Sequence, residues 1–490
     1  MKNIWKIFLL VLILSSCTDL ADKYYDRLPA DKYPENALQI ALLPAPVYTP
    51  MREFIDNSGW WFCQELTSDE MVGPTRNTDW DDGGKWRVLH QHAWGNTTEA
   101  ISNMWDPMYR GVVKANELVE LLGTFPQEAP VLATIAQVKI MRAYYYYLLM
   151  DNYGDVPYVV TFANADPKPL KTPRAEIFNN LVTEVENNIK FLLPSSSKTS
   201  VTKGMAFSLL AKLYLNAEVY SGTAQWEKAE AACDSVIALG QYGLESEPLA
   251  PFVTENSGSA ENIFTIPYDE NTYKGNNLHM RTLHYLSNLT YDMTVGPWNG
   301  FCVMEDHYNT YNDSDKRKKG FMVGQQYTSG GAKIFDQVAG VDLIIKPNLP
   351  ALKIDASYTS DEIRNTGARV IKFEIKQGAT DNLSNDFPIF RYADILLMKA
   401  EARVRQGKNG DEFVNLIRTR AGVPALSGVD LTALLAERGR EMFWEAHRRQ
   451  DLIRFGQFNK AWWEKDASSP ERKTFPIPQW VIDANPNLGN

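Results

Sequence analysis

Cysteine and histidine are scarce here, four of one and six of the other in 490 residues. Past Cys17 the remaining thiols are Cys63, Cys233 and Cys302. Their number is odd and their spacing does not fit a zinc site. One disulfide among them stays open, and three buried free thiols are the expectation. The histidines His90-x-His92 and the pair His279 and His284 have no adjoining carboxylates in a metal-ligand pattern. Asp313-Ser314-Asp315 lacks the further ligands of a calcium loop. No cofactor is therefore expected, with a structural calcium ion left open. Nucleophile elbows and phosphate loops are missing as well. So is any apolar run near the roughly 20 residues of a membrane-spanning helix, and so is a Pro-, Ser- or Gly-rich linker. Basic residues are in deficit, 50 against 60 acidic, for a formal charge of −10. That balance excludes nucleic acid as a partner and argues against a basic membrane-facing patch.

The N-terminus reads as an export signal. Lys2 and Lys6 precede an unbroken apolar run, Ile7 to Leu14, too short to cross a bilayer. Leu14-Ser15-Ser16-Cys17 resembles the lipobox of bacterial lipoproteins, which implies cleavage before Cys17 and its lipidation. Residues 1–16 are then the signal and residues 17–33 the lipidated cysteine and tether. Taking Lys2 and Lys6 from the 50 basic residues leaves 48 against 60 acidic, a charge of −12. Two or more acyl chains anchor stably, since each buried methylene adds roughly 0.8 kcal/mol.

Helical periodicity dominates both ends of the remainder. Asn36 to Met51 has apolar helical spacing that Pro44 and Pro46 must bend or end. In Glu99 to Leu122, Ile101, Met104, Trp105, Met108, Val112, Ala115 and Val119 recur at threes and fours, and Pro107 predicts a kink or a late start. Ala129 to Asn152 is apolar nearly all round, so it should be buried on most sides. Further helices are predicted over Arg174–Leu193, Thr202–Tyr220, Trp226–Leu239, Tyr392–Gln406 and Asp411–Arg420. Short turns between several of them point to antiparallel hairpins, loosely tetratricopeptide-like. Residues 245–390 lack helical period, and Val370 to Lys376 alternates as a short strand would. A region this long should be an irregular subdomain packed on the helices. The expected divisions are 34–244 (helical, with an aromatic-rich loop), 245–390 (irregular and ligand-binding) and 391–490 (helical).

Several segments, in order, carry a family likeness. They are Met141-Arg142-Ala143-Tyr144-Tyr145-Tyr146 with Tyr153-Gly154-Asp155-Val156-Pro157; Lys203-Gly204-Met205-Ala206 leading into Leu210-Ala211-Lys212-Leu213-Tyr214-Leu215; and Arg391-Tyr392-Ala393-Asp394 running to Lys399-Ala400-Glu401. Then come Val414 to Gly422, Glu437 to Glu445 with Asp451 to Arg454, and Phe475-Pro476-Ile477-Pro478 with Asn485-Pro486-Asn487-Leu488. Together they resemble SusD/RagB proteins, nutrient-binding outer-membrane lipoproteins of Bacteroidetes. The resemblance implies a mainly α fold of about four tetratricopeptide-like hairpins supporting a loop-rich subdomain with short strands. It also implies a partner, a TonB-dependent outer-membrane transporter of the SusC type, and placement on the cell surface through the lipid anchor.

These motifs look structural. Glu441, Glu445 and Arg449 lie four apart within a helix expected over Leu431–Phe455, and Arg391 with Asp394 should form a satisfied pair. Binding residues are sought elsewhere. A sugar offers an apolar C–H face and a fringe of hydroxyls, which suits a flat indole flanked by Asp, Asn or Arg. Six of the thirteen tryptophans fall between Trp60 and Trp105. Trp105 reads as core, and Trp60 and Trp61 as at least half buried. Trp80 and Trp86 flank Asp81-Asp82-Gly83-Gly84, a turn expected to face water. Trp298 crests Gly296-Pro297-Trp298-Asn299-Gly300, with Tyr273 nearby in sequence. The candidate ligand-binding residues are Trp80, Trp86 and Trp298 for stacking, with Arg76, Asp81 and Tyr273, and no catalytic residue is assigned. A glycan is the expected ligand. A peptide, as in a RagB-like member, is the alternative, and glycoside hydrolysis is a more distant one, because with 60 acidic residues some carboxyl pair always qualifies.

Overall fold

The computed structural model describes residues 36–489 except 57, 164 and 195; the signal, Cys17 and the tether lie outside the described residues. The chain divides into two units, Met1–Leu43 and Pro44–Asn490. In the first, the described helix Ala37–Leu42 is capped by Asn36, whose side-chain oxygen accepts from the Gln39 amide at 3.0 Å.

The frame of the second unit is a run of helices: α1 (Glu99–Gly123), α2 (Ala129–Tyr153), α3 (Arg174–Ile189), α4 (Lys203–Leu215), α5 (Trp226–Ala238), α6 (Tyr392–Arg405), α7 (Asp411–Ala421) and α8 (Leu431–Met442). Neighbours in this order pack on one another, and α6 packs directly on α5, so the stack resumes after the long irregular excursion. The mainly α, hairpin-built class is as expected. In α1 the periodic residues Ile101, Met104, Trp105, Met108 and Val112 are buried, and the helix runs through Pro107 without a late start. An interior proline costs about 3 kcal/mol, and burial of its neighbours offsets it. Gly111 lets α2 approach: a Cβ there would stand 2.2 Å from the Tyr145 ring. Residues Ile140 to Tyr153 of α2 are all buried, and Gly154, at φ 76°, ends it. Among the described residues no helix is long and apolar enough to cross a membrane.

The excursion is pinched at its neck by β1 (Asn262–Ile266) pairing antiparallel with β2 (Phe387–Arg391), every residue of both strands buried. Inside it are short two-residue ladders. The strand expected over Val370–Lys376 is a correction: Arg369–Val370 pairs with Phe321–Met322 and the ladder stops there. The alternation had another cause. Lys372 is buried, its ammonium bonded to the carbonyls of Glu441 and Phe443 and to Glu445 at 2.6 Å.

The single helix expected over Leu431–Phe455 is a second correction. α8 ends at Met442 and a further helix, α9, spans Arg448–Arg454. Trp444 and Ala446 adopt φ 68° and 63° between them. The break swings Glu445 out of the expected ladder onto Arg391, at 2.7 Å. Arg391 and Asp394 do not pair with each other either. Arg391 also meets Glu261 and Glu441, while Asp394 lies 3.1 Å from Lys212 and 2.9 Å from Arg438. Arg420 bridges Glu261 and Glu441, and Arg317 reaches Glu437 at 2.8 Å. Burial alone would raise the Glu441 pKa, but Arg420, Arg391 and Arg317 overcome it and hold the carboxyl well below the usual range. Cys63, Cys233 and Cys302 are free and buried.

Glu441→Gln keeps the shape and removes the charge, leaving three buried guanidiniums short of a partner. Loss of about 3–5 kcal/mol of stability is expected, read from the denaturant midpoint; a loss under 1 kcal/mol would contradict the role given to Glu441.

All six histidines are buried. Burial drives His90 and His279 down to about 4, and His92, His307 and His447 to about 3; His284 is lowered too. They stay neutral in the fold while the unfolded chain takes up protons, so their stabilisation is full above pH 6.5 and drains as pH falls towards 3. Lowered carboxylates such as Glu441 add to this loss below about pH 4.5. Glu65, raised by burial to about 8, acts oppositely between pH 4.5 and 8, as does the raised Glu70 above pH 4.5. The denaturation midpoint should therefore fall most steeply below pH 4.5; a midpoint level from pH 5 to 3 would contradict this.

Candidate functional site

Two ladders hold the tryptophan turn. Met71–Val72 pairs antiparallel with Cys302–Val303, and Thr75–Arg76 pairs parallel with Lys353–Ile354. The first ladder lays residues 298–301 beside the turn 77–84. Positive φ at Asn77 (58°), Trp80 (58°), Asp82 (40°), Gly83 (64°) and Gly84 (85°) folds that turn tightly. It delivers Trp80 across the chain, so that its indole Nε1 donates to the Trp298 carbonyl at 2.7 Å. The indole lies flat against Gly300, where a Cβ would come within 2.2 Å of its Cε2. Phe301 and Trp86 support it, with ring centroids at 4.9 and 5.9 Å.

Trp298 stands 38% exposed. Its backbone amide donates to the Met280 carbonyl at 2.7 Å, and the Asn299 amide to Leu283 at 2.9 Å. The Arg281 guanidinium sits 5.3 Å from the Trp298 ring and 4.6 Å from Phe62, bracing the indole from within. Arg281 is itself fixed, donating to the Asp56 carbonyl at 2.9 Å and to Asn277 at 3.1 Å. Burial lowers its pKa to about 10, above neutrality by enough to keep it charged.

Trp80, Trp86, Trp298 and Asp81 thus come together, but not as equals. The expectation that Trp86 faces water is corrected. It is 3% exposed and sandwiched by Phe62 and Phe301, its indole N–H donating to Asp82 at 2.7 Å. Helix Lys85–His90 starts right after the glycines and turns Trp86 inward. Arg76 as a ligand contact is corrected too. At 2% exposure its guanidinium donates to the carbonyls of Ile363 (2.8 Å), Thr366 (2.9 Å) and Gly300 (3.4 Å). Asp81 is partly exposed and bound to Arg87 at 2.9 Å. Tyr273 is 47% exposed, with the Arg52 guanidinium 4.1 Å over its ring.

Sequence reasoning missed Tyr285. Its hydroxyl donates to the Asp79 carboxylate, and Arg364 lies 4.7 Å from its ring. Burial, then the Asp79 contact, raises its pKa to about 12, so the hydroxyl stays protonated. The partners are 206 residues apart, and no local pattern announces them. Two concavities lie elsewhere: about 420 Å³ among Pro46, Pro50, Trp105, Tyr109, Val113 and Trp480, and about 500 Å³ beside Phe207 and Tyr214. The enclosed cavity beside Lys212 and His447, about 30 Å³, is water-sized. Among the described residues no three His, Cys, Asp or Glu side chains gather for a metal ion.

Comparison with known proteins fixes the kinship. A family model described as "SusD family" matches residues 260–473, and one described as "Starch-binding associating with outer membrane" matches residues 47–215. This chain belongs to the SusD/RagB family. Among its SusD relatives is the starch-binding protein SusD of Bacteroides thetaiotaomicron, 24% identical over 475 residues, covering 87% of this chain and 83% of that one. A laminarin-binding SusD-like protein superposes with a TM-score of 0.72 at 20% identity, covering 91% and 97% of the two chains. Surface glycan-binding protein A from Bacteroides thetaiotaomicron, in complex with laminarihexaose, gives a TM-score of 0.70 at 22% identity and covers 91% and 97%. The SusD/RagB motifs themselves fall in the frame. Arg142, for example, is buried and donates to Asn116 at 2.7 Å.

Arg76→Met leaves the Ile363 and Gly300 carbonyls without their donor, Thr366 keeping Arg369, and a loss of about 1–3 kcal/mol of stability is expected. Trp298→Ala should cost under 1 kcal/mol, its ring being partly solvated already. Denaturation of both variants checks the contrast, and equal losses would contradict it.

Proposed function

We propose that this chain is a cell-surface glycan-binding lipoprotein that captures an oligo- or polysaccharide and delivers it to a SusC-like TonB-dependent transporter in the outer membrane. The observation that carries the reading is the Trp80–Trp298 pair: one indole half buried on Gly300, the next exposed and braced from behind by Arg281. Rigid, partly solvated rings cover the C–H face of a sugar at little entropic cost. Asp79, Asp81 and the Tyr285 hydroxyl stand ready for its hydroxyl fringe. The names of the relatives, starch-binding and laminarin-binding, point to the same ligand class. Stacking on flat rings needs no deep cavity, and the rings lie outside the large concavities. A peptide site would instead call for a deeper pocket with backbone-directed polar groups.

Cys17 carries the anchor in this proposal, and the helical frame presents the site to the transporter. The protein holds its ligand without breaking a bond, and it needs no cofactor to do so.

Binding of the protein, produced without its first 17 residues, to a polysaccharide panel tests this by calorimetry or affinity electrophoresis. Saturable binding without sugar release is expected. Trp298→Ala and Trp80→Ala should each weaken it by about 1–3 kcal/mol. Full affinity in both variants, or steady hydrolysis by pure protein, would overturn the proposal.

A further inference from the structure

The charges around the rings say more about the ligand. We infer that the glycan held at Trp80 and Trp298 is uncharged, neither a uronic-acid nor a sulfated polymer; this rests on the glycan reading above.

Three carboxylates stand within two residues of the Trp80 ring. Asp81 is neutralised by Arg87 at 2.9 Å. Asp79 and Asp82 are exposed and are bonded to neutral donors, the Tyr285 hydroxyl and the Trp86 indole N–H. Among the described residues neither forms an ion pair. Asp56 and Asp292, also exposed, lie on the flanking segments, Asp56 accepting from Asn277 at 2.5 Å and Asp292 from Ser329 at 2.7 Å.

Several cations of the site are engaged or turned inward, while Lys353, on the strand paired with Thr75–Arg76, is exposed. Arg76 is buried on backbone carbonyls. Arg281 is buried behind Trp298 and bonded to Asp56 and Asn277. Arg364, beside Tyr285, binds Asp336 at 2.7 Å. Lys85 pairs with Glu99 at 3.4 Å, and Arg52 is stacked on Tyr273. Lys274, beside Tyr273 in sequence, is exposed. A carboxylate or sulfate on the bound sugar would meet unpaired negative charge from Asp79 and Asp82, while Arg76, Arg281 and Arg364 beside the rings are already bonded and cannot offer the bidentate pair that usually recognises it. Each like charge at contact distance weakens binding by roughly fivefold even in a watery setting, so two rim carboxylates together exceed tenfold.

The test uses laminarin, the same laminarin oxidised at C6 to carboxylates, starch, alginate and a carrageenan, offered to the whole protein and to Trp298→Ala. Expected is capture of at least one neutral glucan, lost in Trp298→Ala and unchanged between 50 and 500 mM NaCl. The oxidised form of that glucan should bind at least tenfold more weakly. That gap should narrow at high salt and in the doubly substituted Asp79→Asn, Asp82→Asn protein. Equal or tighter capture of an acidic glycan, lost in Trp298→Ala, would overturn the inference while leaving the glycan reading intact. Failure of every neutral and acidic glycan to bind would overturn both.

Discussion

A buried cluster of opposite charges is what the remainder of this structure leans on. Arg391 closes the neck of the irregular region at the end of β2, and it meets Glu261 at the foot of β1, Glu441 at the end of α8 and Glu445 in the break that follows. Arg317 and Lys372, from inside the excursion, reach the same acids. One ionic knot thus joins the helical stack, the neck and the loops that carry the rings. Such pairs contribute little net stability over an apolar replacement. Their geometric demands are strict, however, and a chain with charges placed this way has few other ways to satisfy them.

The platform inherits that fixity. Trp80 is placed by a left-handed turn and by a carbonyl on a segment far away in sequence, and Trp298 by two backbone bonds and a guanidinium. Beneath them Trp86, Phe62 and Phe301 form an aromatic bed. The half-buried Trp80 and the exposed Trp298 are the top of a packed aromatic core, so they keep their orientation when no ligand is present.

Much of the frame was legible because helices write their burial at threes and fours: α1, α2 and α5 stand within a residue or so of the periodicity. The ionic residues were legible as structural, since charges spaced three and four apart on a helix commonly form ion-pair ladders. Their partners were not, because Arg391, Arg317 and Lys372 come from distant segments. The Leu431–Phe455 helix was misread because no glycine or proline marks the break; Trp444 and Ala446 take left-handed conformations that packing enforces. At the candidate site, composition pointed to two segments that the structure brings together, with Trp80 partly and Trp298 more fully exposed. Trp86 and Arg76 failed because adjacency to a turn says nothing of which way a side chain points. Tyr285 was invisible because its partner Asp79 belongs to another loop.

The neck between β1 and β2 has a consequence for how such proteins diversify. The chain leaves the helical scaffold and returns to it at adjacent points, clamped by one short antiparallel ladder. What lies between is held also by Arg317, Lys372 and the ladders onto residues 71–76, so it is insertions in its surface loops that leave the spacing of its ends and the helices outside unaltered. Loop-closure entropy grows slowly with length, so longer or shorter versions are tolerated. New specificities can then be tried on the rim while the scaffold stays as it is.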